Sequence, residues 1–112
     1  MTGSAYASDV FTAISAPTRR EILQMLAVRD TPVTDIAASF DMTMSAVSQH
    51  LTVLRTAGLV IQRKEGRQRI YRLNPEPLKV VADWLGFYEP YWKERLSELG
   101  RYLDETVSDP EH

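Results

Sequence analysis

Cysteine is absent from the 112-residue chain, which excludes disulfides, thiolate metal sites and thiol redox sensing and accords with a reducing compartment. Histidine is scarce, with only His50 and the terminal His112 present. No segment approaches the roughly 20 apolar residues that a membrane helix requires, and residues 1–7 lack a basic start followed by an apolar run. Neither a spanning helix nor a signal peptide is expected, and the chain reads as cytoplasmic with no membrane partner. Glycine-rich phosphate loops are missing too. Ser45 and Ser48 precede His50, but residues two or five apart on a helix do not form a nucleophile and base pair, and no orienting carboxylate lies close in sequence. No catalytic residue and no cofactor are therefore expected, and the chain reads as a non-enzyme.

An overall basic charge is also lacking: 13 Lys and Arg stand against 15 Asp and Glu, a net −2. The distribution matters more than the sum. Residues 1–41 carry three positive and five negative charges, residues 42–75 six and one, and residues 76–112 four and nine. The middle third is thus +5, the local basic surface that phosphate contacts need, between acidic flanks that oppose misplaced binding. At 112 residues and 44% hydrophobic, one globular domain with a modest core is expected, and so short a chain gains from a homodimer that hides a further apolar face.

What is present centres on Thr43 to Gly58. Thr43 is a good N-cap and Gly58 offers the left-handed geometry that ends a helix. At 100° per residue Val47, His50, Leu51 and Leu54 share one stripe, while Ser45, Ser48, Gln49, Thr52 and Thr56 fall opposite. A solvated helix face normally carries Lys, Glu and Arg, whereas small hydroxyls and an amide suit base edges and allow close approach to a groove floor. The bland alternative is a surface helix with a Ser and Thr bias.

Upstream, Val10, Phe11 and Ile14 predict a short helix from Ser8, capped by Ser8 or Asp9 and ended before Pro17. Pro17 then opens a helix over 18–28 with Ile22, Leu23 and Leu26 inward. Residues 29–32 read as a turn, and a third helix over 35–40 buries Ile36, Ala37 and Phe40. Two short helices joined by about three residues make a helix-turn-helix. Downstream, residues 59–64 and 68–73 read as a hairpin about a Glu65-Gly66 loop, placing Lys64 opposite Arg67, Gln62 opposite Arg69 and Val60 opposite Tyr71. The basic tip tracks phosphate; the plain alternative is a solvated hairpin whose Lys and Arg block edge pairing.

From Pro77 to Val107 an apolar stripe through Leu78, Val81, Leu85, Tyr88, Trp92, Leu96, Leu99 and Leu103 runs at helical spacing, too long for one small domain to bury. Gly86 and Pro90 leave either a kinked helix or two abutting helices open. This is also the most aromatic part of the chain, as interfaces are.

The residues Ala13 to Leu23, Ser45 to Val60 and Glu65-Gly66-Arg67 together closely resemble the ArsR/SmtB family of bacterial repressors, over about residues 8–105. The resemblance implies a dimeric winged helix-turn-helix with the first and last helices in the dimer interface. Metal-sensing members place cysteines at the start of the helix-turn-helix, or an Asp-x-His pair with a later His and acid in the last helix. The corresponding stretches here read Thr34-Asp35-Ile36 and Asp83-Trp84-Leu85, so the ligands are missing and no metal site is expected. His50 matches a position commonly His in members whether or not they sense metals, which implies a structural role. The Trp, Tyr and Trp run of the last helix is similar to the metal-free branch.

The expected fold is mainly α with a small β-hairpin (α+β), a winged helix-turn-helix, dimeric through terminal helices. A flexible N-terminus at 1–7, a DNA-binding and dimerisation domain at 8–107 and a flexible C-terminus at 108–112 are expected. The expected function is a sequence-specific DNA-binding transcriptional regulator, a dimeric repressor on an inverted-repeat operator that does not respond to metal. The alternative is a winged-helix module for protein association, which a wing without cations would have favoured. Ser45, Ser48, Gln49 and Thr52 are expected to read bases, and Thr43, Arg55, Lys64, Arg67 and Arg69 to contact phosphate. Val10, Phe11, Leu85, Tyr88, Trp92, Leu96 and Leu99 are expected to form the dimer interface. The partners are double-stranded DNA and a second copy; the operator, the regulated genes and the effector are not written in the sequence.

Overall fold

The computed structural model describes residues 9–108, with side chains through residue 103. The expected flexible ends lie outside the described residues, apart from Ser108, which closes the last helix; the proposed cap Ser8 lies outside them too. The chain divides into two units, one through Val81 and one from Ala82.

In the first unit helix α1 occupies residues 9–13. Its end is tied off by Ser15, whose hydroxyl donates to the Thr12 carbonyl at 2.7 Å. Helix α2 runs Pro17–Val28 with proline in its first turn, where the missing N–H belongs to a group without an intrahelical partner anyway. Ile22, Leu23 and Leu26 form its buried stripe, as their spacing predicts.

Residues 29–32 are more than the expected turn. Thr31–Pro32 is a short strand β1, antiparallel to the later strand β3, with Thr31 opposite Tyr71 and Pro32 opposite Ile70. The sheet has three strands in the order β1-β3-β2, not the two of a plain hairpin. Proline is tolerated there because β1 is an edge strand. Helix α3, Val33–Phe40, starts earlier than expected because Pro32, fixed in an extended conformation, itself serves as the N-cap.

Helix α4, Met44–Thr56, follows after a tight connection. Thr43 caps it, its hydroxyl oxygen accepting from the Ala46 N–H at 3.1 Å. Both helices of the pair end the same way. After α4, Gly58 N–H donates to Arg55 O and Leu59 N–H to Leu54 O, at 2.9 and 3.0 Å, with Gly58 left-handed at φ 77°. After α3, Asp41 N–H donates to Ala38 O and Met42 N–H to Ala37 O, at 3.4 and 3.3 Å, with Asp41 left-handed at φ 52°. This is the Schellman arrangement, which satisfies carbonyls that a helix end leaves without partners.

Strands β2, Val60–Glu65, and β3, Gln68–Leu73, form the wing. Their register corrects the expected loop by one residue: Glu65 faces Gln68, Lys64 faces Arg69 and Gln62 faces Tyr71, so Gly66-Arg67 is the loop. Gly66 has φ 62° and Arg67 no positive φ, the pattern of a hairpin loop that wants glycine first. Asn74 clamps the base of the wing to the end of α4, its side-chain amide donating to Gly58 O and its N–H to Leu59 O, both at 2.8 Å. A short 3-10 turn, Glu76–Leu78, leads into α5, Lys79–Phe87.

One core serves this unit. Val10, Ile22, Ile36, Val47, Leu51, Leu54 and Leu59 are fully buried in it, drawn from α1, α2, α3, α4 and the start of the wing. The order of elements and the basic hairpin after α4 make the fold a winged helix-turn-helix.

In the second unit the helical stripe is broken into two abutting helices: α5 ends at Phe87 and α6 runs Glu89–Ser108. The break falls where Pro90 has no N–H to give and where its ring would clash with the carbonyl four residues earlier in a continuous helix. Around it Tyr88 packs edge-on against Trp84 and Phe87, with ring centroids 5.5 and 5.2 Å apart.

Candidate nucleic-acid interface

Helix α4 turns Val47, Leu51 and Leu54 into the core, which fixes its opposite face outward. Ser45, Ser48, Gln49, Thr52 and Thr56 are all exposed. They are not equivalent. Thr52 donates its hydroxyl to Ser48 O and Thr56 to Thr52 O, each at 2.9 Å, so both present a lone pair and a methyl outward while the donor is spent on the helix itself. The side chains of Ser45, Ser48 and Gln49 hold no hydrogen bond among the described residues and keep donor and acceptor free. Thr43 accepts from Ala46, leaving its own O–H available to an outside acceptor.

Met44, 45% exposed at the start of the same helix, is a residue that the sequence reading passed over. It stands one turn before Ser48, and apolar contact with a thymine methyl is within the repertoire of such a side chain. The signal was the four-residue spacing to Ser48.

His50 lies on the inner edge of α4, half-buried. Arg19 of α2 donates from Nη1 to His50 Nδ1 at 3.1 Å, from Nε to Ala13 O at 2.8 Å and from Nη2 to Thr12 O at 3.1 Å. One guanidinium thus joins the end of α1, the start of α2 and the middle of α4. Since guanidinium only donates, Nδ1 is the acceptor of that ring. Among the described residues no group of three His, Cys, Asp or Glu is placed to hold a metal ion, and the one imidazole described is engaged with Arg19.

The cations of the wing sort into two kinds. Arg63 is bound by Glu65 and Asp30, each at 2.7 Å, and these hydrogen bonds, first to Glu65 and then to Asp30, raise its pKa above the usual guanidinium value. Lys64, Arg67, Arg69 and Arg72 are exposed and form no ion pair among the described residues. Arg55, exposed in the last turn of α4, forms none either. Lys64 and Arg69 face one another directly, an arrangement that opposes pairing in an isolated hairpin and suits an external anion. Arg67 occupies the loop itself.

The residues expected at a dimer interface divide as well. Val10 is fully buried in its own core, so it has no surface left for a partner, and its expected place at an interface is corrected. Phe11 is half-buried. Leu85, Tyr88, Trp92, Leu96 and Leu99 are all exposed, from 38% at Trp92 to 54% at Leu96. No helix among the described residues is long and apolar enough to cross a membrane.

The family model described as bacterial regulatory protein, arsR family, matches residues 16–62. The chain is 36% identical over 78 residues to the transcriptional repressor SdpR of Bacillus subtilis, covering 70% of this chain and 87% of that protein. An ArsR-like transcriptional regulator from Rhodococcus sp. RHA1 superposes with a TM-score of 0.69 at 30% identity, over 91% of this chain and 96% of that one. A homodimeric winged helix-turn-helix DNA-binding domain from Mycobacterium bovis, a possible ArsR-family transcriptional regulator, gives 0.63 at 25% identity, over 96% and 87%.

Proposed function

The chain belongs to the arsR family of bacterial regulatory proteins, DNA-binding regulators of transcription, and from that premise we propose that it is a homodimeric repressor occupying an inverted-repeat operator. Helix α4 enters the major groove, where Ser45, Ser48 and Gln49 read base edges with donor and acceptor both free, and Thr52 offers a lone pair and a methyl. Lys64, Arg67 and Arg69 follow the phosphates from the wing, with Arg55 and the Thr43 hydroxyl adding contacts at either end of α4. A second copy covers the apolar stripe from Leu85 to Leu99, and two rigidly joined readers meet half-sites about one DNA turn, ~34 Å, apart. The signal that releases the DNA acts without a bound metal, since the family's ligand positions read Thr34-Asp35-Ile36 and Asp83-Trp84-Leu85 here.

The observation that carries this reading is the juxtaposition of an uncharged, exposed helix face with unpaired cations on the adjoining hairpin, Lys64, Arg67 and Arg69 among them. Sequence-specific recognition divides its labour in that way, with base contacts specifying and phosphate contacts positioning.

The test is a binding titration against salt, on an operator found by footprinting upstream of the protein's own gene. Three cations per subunit in a dimer predict a slope of log affinity against log salt of roughly −5, from about −0.9 per phosphate neutralised. Arg67→Ala should flatten that slope by nearly two units on any DNA. Gln49→Ala should leave the slope alone and weaken the operator by ~1 to 3 kcal/mol with little effect on unrelated sequence. Equal losses on both DNAs would move Gln49 to the backbone, an unchanged slope would remove Arg67 from the interface, and chelator-sensitive binding would overturn the metal-free reading.

A further inference from the structure

A cleft of about 310 Å³ lies between the start of α3, the start of α4 and strand β3, with Thr34, Met44, Ser48, Arg67, Arg69 and Tyr71 on its walls. It has room for one tetrahedral anion and several waters, at roughly 30 Å³ per water. Tyr71 is only 5% exposed, and a tyrosine buried that far normally finds a partner for its hydroxyl. This one has none among the described residues, yet it is not among the fully enclosed polar atoms that lack a partner. Its hydroxyl is therefore not fully enclosed, and Tyr71 is one of the residues that line the cleft.

Two further features point the same way. Helix α3 begins on Pro32 with no side-chain cap, so its first-turn N–H groups, beside the free hydroxyl of Thr34, lack a side-chain acceptor and carry the positive end of the helix dipole. Arg67 and Arg69 border the cleft with no carboxylate paired to either among the described residues. The cleft gathers hydroxyl donors, free amides and two cations, and every one of them seeks an acceptor bearing negative charge.

We propose that this cleft is a phosphate seat, in which the Tyr71 hydroxyl and the first turn of α3 donate to a phosphate group that Arg67 and Arg69 neutralise. The proposal rests on the DNA-binding reading for its first source of phosphate, the duplex backbone beside the groove that α4 enters. A free phosphate-bearing anion is the second source, and the two are separable.

The test is Tyr71→Phe in the full chain, which removes one hydroxyl and keeps the ring. Binding is measured to a short duplex of arbitrary sequence, since phosphate contacts do not depend on sequence, and to inorganic phosphate exchanged for chloride at constant ionic strength. The variant should bind the duplex about tenfold more weakly, as for a lost hydrogen bond to a charged group, with its thermal midpoint unchanged in chloride. Its salt slope should also stay unchanged, because a neutral hydroxyl releases no counterion, whereas Arg69→Gln should flatten it. Weaker duplex binding with no response to phosphate supports a seat for the DNA backbone. A thermal midpoint raised by phosphate in the wild type and not in Tyr71→Phe supports a seat that free anions also fill, and it stands even if the wild type binds no DNA and the functional reading falls. Unaltered duplex affinity together with no Tyr71-dependent phosphate effect overturns the proposal.

Discussion

The unit through Val81 and the unit from Ala82 use apolar residues in opposite ways. In the first, α1 to α4 and the wing each turn at least one fully or nearly fully buried side chain into a common core. In the second, every described side chain from Ala82 to Leu103 is exposed, among them Trp84, Phe87, Tyr91, Trp92 and Leu99. Charge is divided too, with six positive and one negative in residues 42–75 against four and nine in residues 76–112. The difference teaches that the first unit closes a core from its own residues. The C-terminal helices leave their apolar stripe exposed, the surface that the second copy proposed above would cover.

The largest effect that would break this comparison is on folding. Leu54→Ala empties a fully buried position and should cost ~2 to 5 kcal/mol of protomer stability. Leu99, 52% exposed, should lose less than about 0.5 kcal/mol on the same change when the protein is dilute. Urea melts of both variants, at a concentration too low for association, provide the check. A Leu99→Ala protein as unstable as Leu54→Ala would mean that the stripe is core after all.

Next in size is association. Trp92 sits at i, i+4 and i+7 with Leu96 and Leu99, so these three share a face of α6. If a second copy covers that face, Trp92→Ala removes ~1.5 to 3 kcal/mol of burial for each subunit and weakens the dimer by two orders of magnitude or more, at about 1.4 kcal/mol per tenfold. Sedimentation equilibrium measures it directly. A monomeric wild type at micromolar concentration would sink the homodimer, and an undiminished variant dimer would remove Trp92 from the interface.

The same contrast explains what the sequence disclosed. Helix α4 was legible because its period, its Thr43 cap and its Gly58 stop agreed, and each reports on local geometry. The stripe of α2 was legible for the same reason. Strand β1 was not, because two residues have no periodicity and one of them is a proline; its pairing is imposed by Tyr71 and Ile70, some forty positions away. The wing loop slipped by one because Glu65-Gly66 and Gly66-Arg67 both offer a glycine, and sequence alone does not say which loop position needs the positive φ. The wing's cations were legible one by one, but the neutralisation of Arg63 by Asp30 joins residues far apart in the chain. The buried place of Val10 follows from packing among α1, α2 and α4, which a short amphipathic pattern does not resolve. Leu85, Tyr88, Trp92, Leu96 and Leu99 lie exposed.

The smallest effect expected lies within the well-packed unit, where the two helices of the helix-turn-helix end in the same hydrogen-bonding pattern on different residues. After α4 the left-handed residue is Gly58; after α3 it is Asp41, at φ 52° and ψ 47°. That conformation crowds a Cβ against the following carbonyl and favours glycine, with Asp and Asn the residues that tolerate it best. Asp41→Gly should therefore relieve strain, partly offset by the greater freedom of glycine in the unfolded chain, for a net gain of about 0.5 kcal/mol or less, since that freedom costs ~0.4 to 1 kcal/mol. Asp41→Asn keeps the size and the tolerance of a left-handed backbone while removing the charge, so it separates the two contributions. If Asp41→Gly raises the urea midpoint and Asp41→Asn does not, the turn is limited by its backbone. If both raise it equally, the gain comes from removing a carboxylate, whose charge lies at the unfavourable negative end of α3.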